Sequence, residues 1–133
     1  MRTNQILAAA ALILASALAP DLALAQWQGI KRTDLMRDDL SAPGREVIQV
    51  LVEFAPGVTA PRHSHPGEEL VYVVEGVLEY QLDGRPPLTV KAGEVLFIPH
   101  GTPHAVKNIG TGNASELATY IVEKGKVLLV PGK

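Results

Sequence analysis

The run His63-Ser64-His65-Pro66-Gly67-Glu68-Glu69 (HSHPGEE, residues 63–69) gathers two of the chain's four histidines and two acidic residues into one short segment. Residues two apart on a β-strand project to the same face, so a strand here would present the imidazoles of His63 and His65 together. Glu69 has the same parity but lies beyond Pro66-Gly67, a turn signal that would let its carboxylate swing back toward the rings. Two neutral nitrogens and a carboxylate converging on one point suit a divalent metal. Buried without a partner, that carboxylate would be costly to desolvate. A His-x-His pair alone is more often a surface or satisfied pair than a ligand set, and the surrounding sequence has to decide.

Outward from this stretch, Pro and Gly interrupt the chain at short intervals: Pro43-Gly44, Pro56-Gly57, Gly76, Gly84 to Pro87, Gly93, Pro99 to Pro103, Gly110-Gly112 and Gly125. Between them lie segments rich in Val, Ile, Leu and Tyr: 46–54, 70–75, 77–82, 88–91, 95–98 and 117–123, with a further strand over 105–108 opened by His104. Short strands at such spacing, with no helical period after residue 41, predict an all-β sandwich or barrel. Val47 to Val52 and Leu70 to Val74 are apolar enough to be covered on both faces, which predicts a closed sheet or one that meets a second subunit. Glu75-Gly76 and Asp83-Gly84 would join 70–75, 77–82 and 88–91 into a meander.

The beginning of the chain has a different character. Met1-Arg2 precedes an apolar run from Ile6 to Ala19, then Pro20-Asp21, then Ala23-Leu24-Ala25 before Gln26. That is the layout of a secretory signal peptide cleaved after Ala25, and the run falls short of the roughly 18–20 residues a membrane span needs. The expected organisation is a signal peptide at 1–25, an N-terminal arm at 26–42 and one β-barrel domain at 43–133. The arm alternates poorly over Ile30 to Leu40 and would either pair along a neighbour's edge or form a tail. The expected location is secreted or periplasmic, with no stable membrane insertion after cleavage. Twelve basic and fourteen acidic residues leave a net charge of −2, which recommends neither nucleic acid nor an anionic membrane surface. The absence of cysteine excludes disulfides and lipid attachment through a cysteine.

The joint spacing makes the metal reading specific. Five residues separate Gly57 from His63-Ser64-His65, three separate His65 from Glu69, and six separate Glu69 from Gly76. Further on, Gly93 is followed after five residues by Pro99, then Gly101, then His104 after two more and Asn108 after three. This two-part pattern, with sixteen residues between the parts, resembles the cupin superfamily, in particular its small single-domain bacterial members. The resemblance covers residues 57–108, with every fixed position filled. It implies a jelly-roll β-barrel and a metal held by His63, His65, Glu69 and His104. Glu68 competes for the carboxylate position, but the three-residue gap and parity favour Glu69. His100 matches no fixed position and is expected in a loop at the barrel mouth.

The cofactor implied is one divalent transition metal ion per chain (Fe, Mn, Ni, Co, Cu or Zn), since imidazole suits all six. Three functions remain open. The first is a dioxygenase-type oxidoreductase acting on a small chelating oxygen-bearing organic molecule, with Glu69 as the catalytic proton acceptor. The second is a metal-dependent isomerase, lyase or decarboxylase on a sugar acid or similar compound. The third is a small-ligand-binding module without turnover. The expected partners are a small-molecule substrate and a second copy in a homodimer. Asn108 is expected to serve the fold, Tyr72, Tyr80 and Tyr120 to pack in strands, Arg62 either to meet an anionic substrate at the barrel mouth or to be a solvated loop residue, and Gln49 to face the pocket.

Overall fold

The computed structural model describes residues 27–133, so the signal peptide expected at 1–25 and the start of the mature chain at Gln26 lie outside the described residues. Ten strands form two antiparallel five-stranded sheets, the all-β jelly-roll arrangement expected for a single domain. The first sheet has the order β1 (Ile30–Asp39), β2 (Arg45–Phe54), β9 (Ala114–Glu123), β4 (Gly67–Glu75), β7 (Val95–Ile98). The second runs β10 (Val130–Pro131), β3 (Thr59–Ser64), β8 (His104–Asn108), β5 (Val77–Leu82), β6 (Leu88–Lys91). No helix among the described residues is long and apolar enough to cross a membrane.

Alternation along the central strands builds the core. In β2 every second residue, from Glu46 through Ile48, Val50 and Val52 to Phe54, is buried. Val71 and Val73 of β4, Leu78, Tyr80 and Leu82 of β5, and Ala118, Tyr120 and Val122 of β9 fill the space between the sheets. A period of two with one face inward is what a sandwich layer needs.

Within a single chain β2 and β4 are covered on one face only, so cover on their outer faces would have to come from a second subunit. The outward residues of β2 are only half-buried, and Leu70, Tyr72 and Val74 of β4 stand open, beside Val95 and Phe97 of the neighbouring β7. Gln49 likewise points away from the interior, where its amide donates to Thr119 Oγ1 at 3.1 Å.

Residues 30–39, expected to be an arm or a tail, instead form β1, which pairs along the whole of β2 with a bulge between Asp34 and Met36. Their weak alternation has a physical cause. An edge strand whose side chains are nearly all exposed has little need of a buried face, and charges such as Lys31, paired with Glu53 at 3.1 Å, guard the edge. The expected meander also changes, because β4 and β5 belong to different sheets and do not pair. Gly76 carries the chain between them with φ +77°, and a Cβ there would stand 2.7 Å from the Asn113 carbonyl. Only glycine meets both conditions.

Asn108, fully buried at the end of β8, serves the fold as expected. Its amide nitrogen lies within 3.2 Å of the carbonyls of Phe54, Ala55 and Gly112, and its oxygen accepts from Gly110 N at 3.0 Å.

Candidate metal centre

β3 and β8 pair antiparallel with His63 opposite His104, so two histidines distant in sequence become cross-strand neighbours. His65 follows directly after β3, and the chain reverses at Pro66 into β4, which carries Glu69. All four side chains face the interior and are at most 4% exposed. The ligand nitrogens of His63, His65 and His104 lie within 4.8 Å of one another, so these buried histidines form a potential metal site. Glu69 completes the cluster: its Oε2 is 3.3 Å from His65 Nε2 and 3.3 Å from His104 Nε2. Glu68 faces outward, and His100 is exposed in the loop before β8.

The other ring nitrogens fix the tautomers. His63 Nδ1 donates to the Pro61 carbonyl at 2.7 Å, His65 Nδ1 to the Leu128 carbonyl at 2.7 Å, and His104 Nδ1 to the Thr102 carbonyl at 2.9 Å. A carbonyl can only accept, so each Nδ1 carries its proton and each neutral ring offers an Nε2 lone pair. Metal-binding histidines are commonly held in this way.

Lone pairs converging without donors make this cluster poor as a self-contained polar core. His65 Nε2 and Glu69 Oε2 are buried and complete no hydrogen bond. An orphaned buried acceptor is destabilising by roughly 1–3 kcal/mol, and a cation would satisfy both. Two donors each about 2.1 Å from one ion at a right angle stand about 3 Å apart, close to the observed 3.3 Å separations. The residues present therefore fit a divalent metal.

Electrostatics at His63 and Glu69 agree. Burial, followed by the charge of His104, lowers His63 to about 4, so that ring is neutral and ready to ligate at physiological pH. Burial alone would raise Glu69, but the adjacent His104 and His65 outweigh it and hold the carboxyl at about 2, ionised. Burial also lowers His104, and there the Glu69 carboxylate wins and raises it.

Aromatic rings frame the cluster: Trp27 meets the His63 ring edge-on at 5.3 Å, and Tyr120 lies 4.5 Å from His65. Arg32 of β1 donates to the Tyr120 hydroxyl at 3.2 Å. Of the strand tyrosines, Tyr80 and Tyr120 are buried and Tyr72 is exposed. Arg62 forms an exposed ion pair with Asp83.

One interior group has no place in the two-part motif. Glu116 of β9 is buried, and Tyr80 donates its hydroxyl to it. Its parity matches Ala118 and Tyr120, so carrying the alternation of 117–123 one residue further back would have placed it inside. Burial, then the Glu69 carboxylate, raise Glu116 to about 8. The folded chain thus keeps this proton at neutral pH, whereas the unfolded chain releases it near its ordinary 4.5. The contribution of Glu116 to stability therefore declines as pH rises from about 4.5 through about 8. Glu116→Gln retains an acceptor for Tyr80 and removes this slope. Urea midpoints of the metal-free variant at about pH 5 and about pH 8 are expected to differ less than those of the parent. An equal difference in both would show that Glu116 holds no such proton.

Comparison with known proteins agrees with this architecture. The family described as "Cupin domain" matches residues 50–120. An oxalate oxidase of Triticum aestivum is 31% identical over 119 residues, covering 84% of this chain and 48% of the oxidase. A dimethylsulfoniopropionate lyase of Ruegeria pomeroyi is 35% identical over 57 residues, covering 43% of this chain and 28% of the lyase. Among solved structures, recombinant oxalate oxidase in complex with glycolate superposes with a TM-score of 0.63 at 28% identity, over 77% of this chain and 55% of that one. A cupin superfamily protein of Desulfitobacterium hafniense shares the fold, with a TM-score of 0.60 at 20% identity over 72% of this chain and 80% of that one. The chain spans about half or less of the length of these two curated relatives.

Proposed function

Because the chain belongs to the cupin family, we propose that it is a metal-dependent enzyme that oxidises a small, chelating, oxygen-bearing organic molecule with dioxygen. One observation carries the reading: three buried histidine nitrogens lie within 4.8 Å of one another, Glu69 Oε2 stands 3.3 Å from two of them, and His65 Nε2 and Glu69 Oε2 complete no hydrogen bond. In this reading His63, His65, His104 and Glu69 hold the ion. The likeness to an oxalate oxidase over most of the chain supports oxidation of a small organic acid.

A bound transition ion would supply Lewis-acid polarisation of the substrate's oxygen atoms and positions for substrate and oxidant to meet. The chain supplies the rest. Its carbonyls at Pro61, Leu128 and Thr102 orient the three rings, so the donors need little reorganisation when a ligand arrives. Glu69, ionised at neutral pH, would take a proton from the substrate where it loosens from the ion. Trp27 and Tyr120 pack against the His63 and His65 rings and help to hold their orientation.

The likeness to a lyase favours a second reading, in which the same site breaks a bond without net oxidation. The two differ in dioxygen use. Elemental analysis of the purified chain is expected to give about one iron, manganese, copper, nickel or cobalt per chain. An oxygen electrode with a panel of small phenolic, enolic and dicarboxylic acids should then record uptake in step with turnover, abolished in Glu69→Gln. Turnover without oxygen uptake would transfer the assignment to the lyase reading, and a chain that cannot be loaded with metal would leave only a ligand-binding module. Homodimerisation belongs to the same proposal, supported by the apolar outer face of β4 and β7 that one copy leaves open. Export is supported by the N-terminal sequence pattern.

A further inference from the structure

The three histidines are not held by equivalent partners. His63 and His104 each bond a carbonyl two residues earlier in the chain, Pro61 and Thr102, so their orientation is built into β3 and the start of β8. His65 bonds the carbonyl of Leu128, 63 residues away, in the segment that follows β9. That segment crosses back over the ligand strand. Leu128 packs against the core, Val130 and Pro131 pair with Ser64 and His63 as β10, and Gly132 N donates to the Arg62 carbonyl at 2.8 Å.

We propose that residues 126–132 form a strap whose docking on β3 positions His65, presenting its Nε2 to the metal site through the Leu128 carbonyl. The inference rests on the metal reading above and assigns to this segment a role that lies outside the two-part histidine motif. The attachments are small in number: two half-buried apolar side chains, Leu128 and Leu129, of which the first packs against the core, a two-residue strand pairing, the bond from His65 and one terminal hydrogen bond. Such a segment opens at far lower free energy than the barrel unfolds. When it lifts, His65 loses the acceptor that selects its tautomer, and the ring distributes its proton between both nitrogens. Apparent metal affinity then scales with the fraction of molecules in which the strap is docked.

Gly132 offers a way to lift the strap within the full chain. A Cβ at Gly132 would stand 2.8 Å from the Arg62 carbonyl oxygen and 3.1 Å from its carbon, so Gly132→Val displaces the strap end from β3. A chain ended after Gly125 removes the strap altogether. Two readouts apply: metal affinity by chelator competition, and the tautomers of all three histidines by nitrogen NMR of the metal-free protein.

Affinity is expected to fall about 10-fold in Gly132→Val and up to about 100-fold in the shortened chain, the range found when partners of metal ligands are removed. In both, His65 should become a mixture of tautomers while His63 and His104, held locally, keep theirs. General loosening of the barrel would move all three rings. Unchanged affinity with His65 still protonated at Nδ1 would overturn the proposal. If the shortened chain does not fold, Gly132→Val decides by the same criteria. A parent chain that takes up no metal, while His65 still changes tautomer in the variants, would sink the metal reading and uphold the strap's hold on the ring.

Discussion

His104→Ala is expected to bind its metal about 100-fold more weakly than the parent, or worse, because even the partners of metal ligands are worth 10–100-fold in affinity. Stability measurements convert this into a large signal. At a free metal concentration about 100 times the parent's Kd, binding stabilises the parent by about 2.7 kcal/mol, whereas a variant with a 100-fold higher Kd gains about 0.4 kcal/mol. For a domain of this size that contrast corresponds to a metal-induced rise in Tm of roughly 10 °C in the parent and almost none in the variant. Trp27, the only tryptophan in the chain and 5.3 Å from the His63 ring, is a built-in fluorescence reporter for both unfolding and loading.

The metal-free variant is informative as well. His104 is the main group offsetting the cost of burying the Glu69 carboxylate, so its removal should let Glu69 protonate at higher pH. In the parent, Glu69 stabilises the fold above its unfolded pKa near 4.5 and loses that contribution as pH falls toward about 2. The variant should show a shallower loss on that acid limb. His100→Ala serves as the control, since His100 is exposed and should leave both curves unmoved. If His104→Ala still takes one metal per chain at parental affinity, the four-donor set is wrong.

Three of the four candidate ligands are legible in the sequence because their geometry is local. Parity on one strand fixes His63 and His65 on a common face, and a single reversal returns Glu69 to them. His104 required the pairing of β3 with β8, and there the resemblance to a known two-part pattern supplied what periodicity could not. What escaped was long-range or depended on which face turns inward. Gln49 breaks an apolar run and was expected in the pocket, yet its parity matches the outward residues of β2. Arg32 reaches Tyr120 only because β1 lies along β2, a pairing that a nearly all-exposed strand does not advertise. The Leu128 carbonyl is a backbone group and leaves no mark in the sequence at all.

Gly67→Ala, within the opening stretch itself, is expected to be among the most damaging single substitutions in the chain. The sequence places Gly67 in a turn, which would make its value a matter of backbone freedom. The structure instead puts it in β4, buried and paired with Val122, without the positive φ that marks the turn glycines. Its role is close approach: a Cβ there would lie 2.0 Å from the Ile121 carbonyl oxygen and 2.6 Å from Val122 Cα. Both are backbone atoms of a central strand, so no rotamer change relieves the clash, and β4 must separate from β9 at the point where Glu69 enters the site. Overpacking usually costs about 1–3 kcal/mol, and a clash with backbone belongs at or above the upper end.

Gly84→Ala separates this steric cause from a conformational one. Gly84 has φ +73°, and a Cβ there would meet nothing within 4 Å, so its replacement should cost only about 1 kcal/mol. Urea denaturation of the two metal-free variants is therefore expected to place Gly67→Ala well below Gly84→Ala, and metal titration to find the site impaired only in the former. Equal losses in the two would mean that β4 can move away from β9 at little cost, and that the position of Glu69 is not set by the contact between these strands.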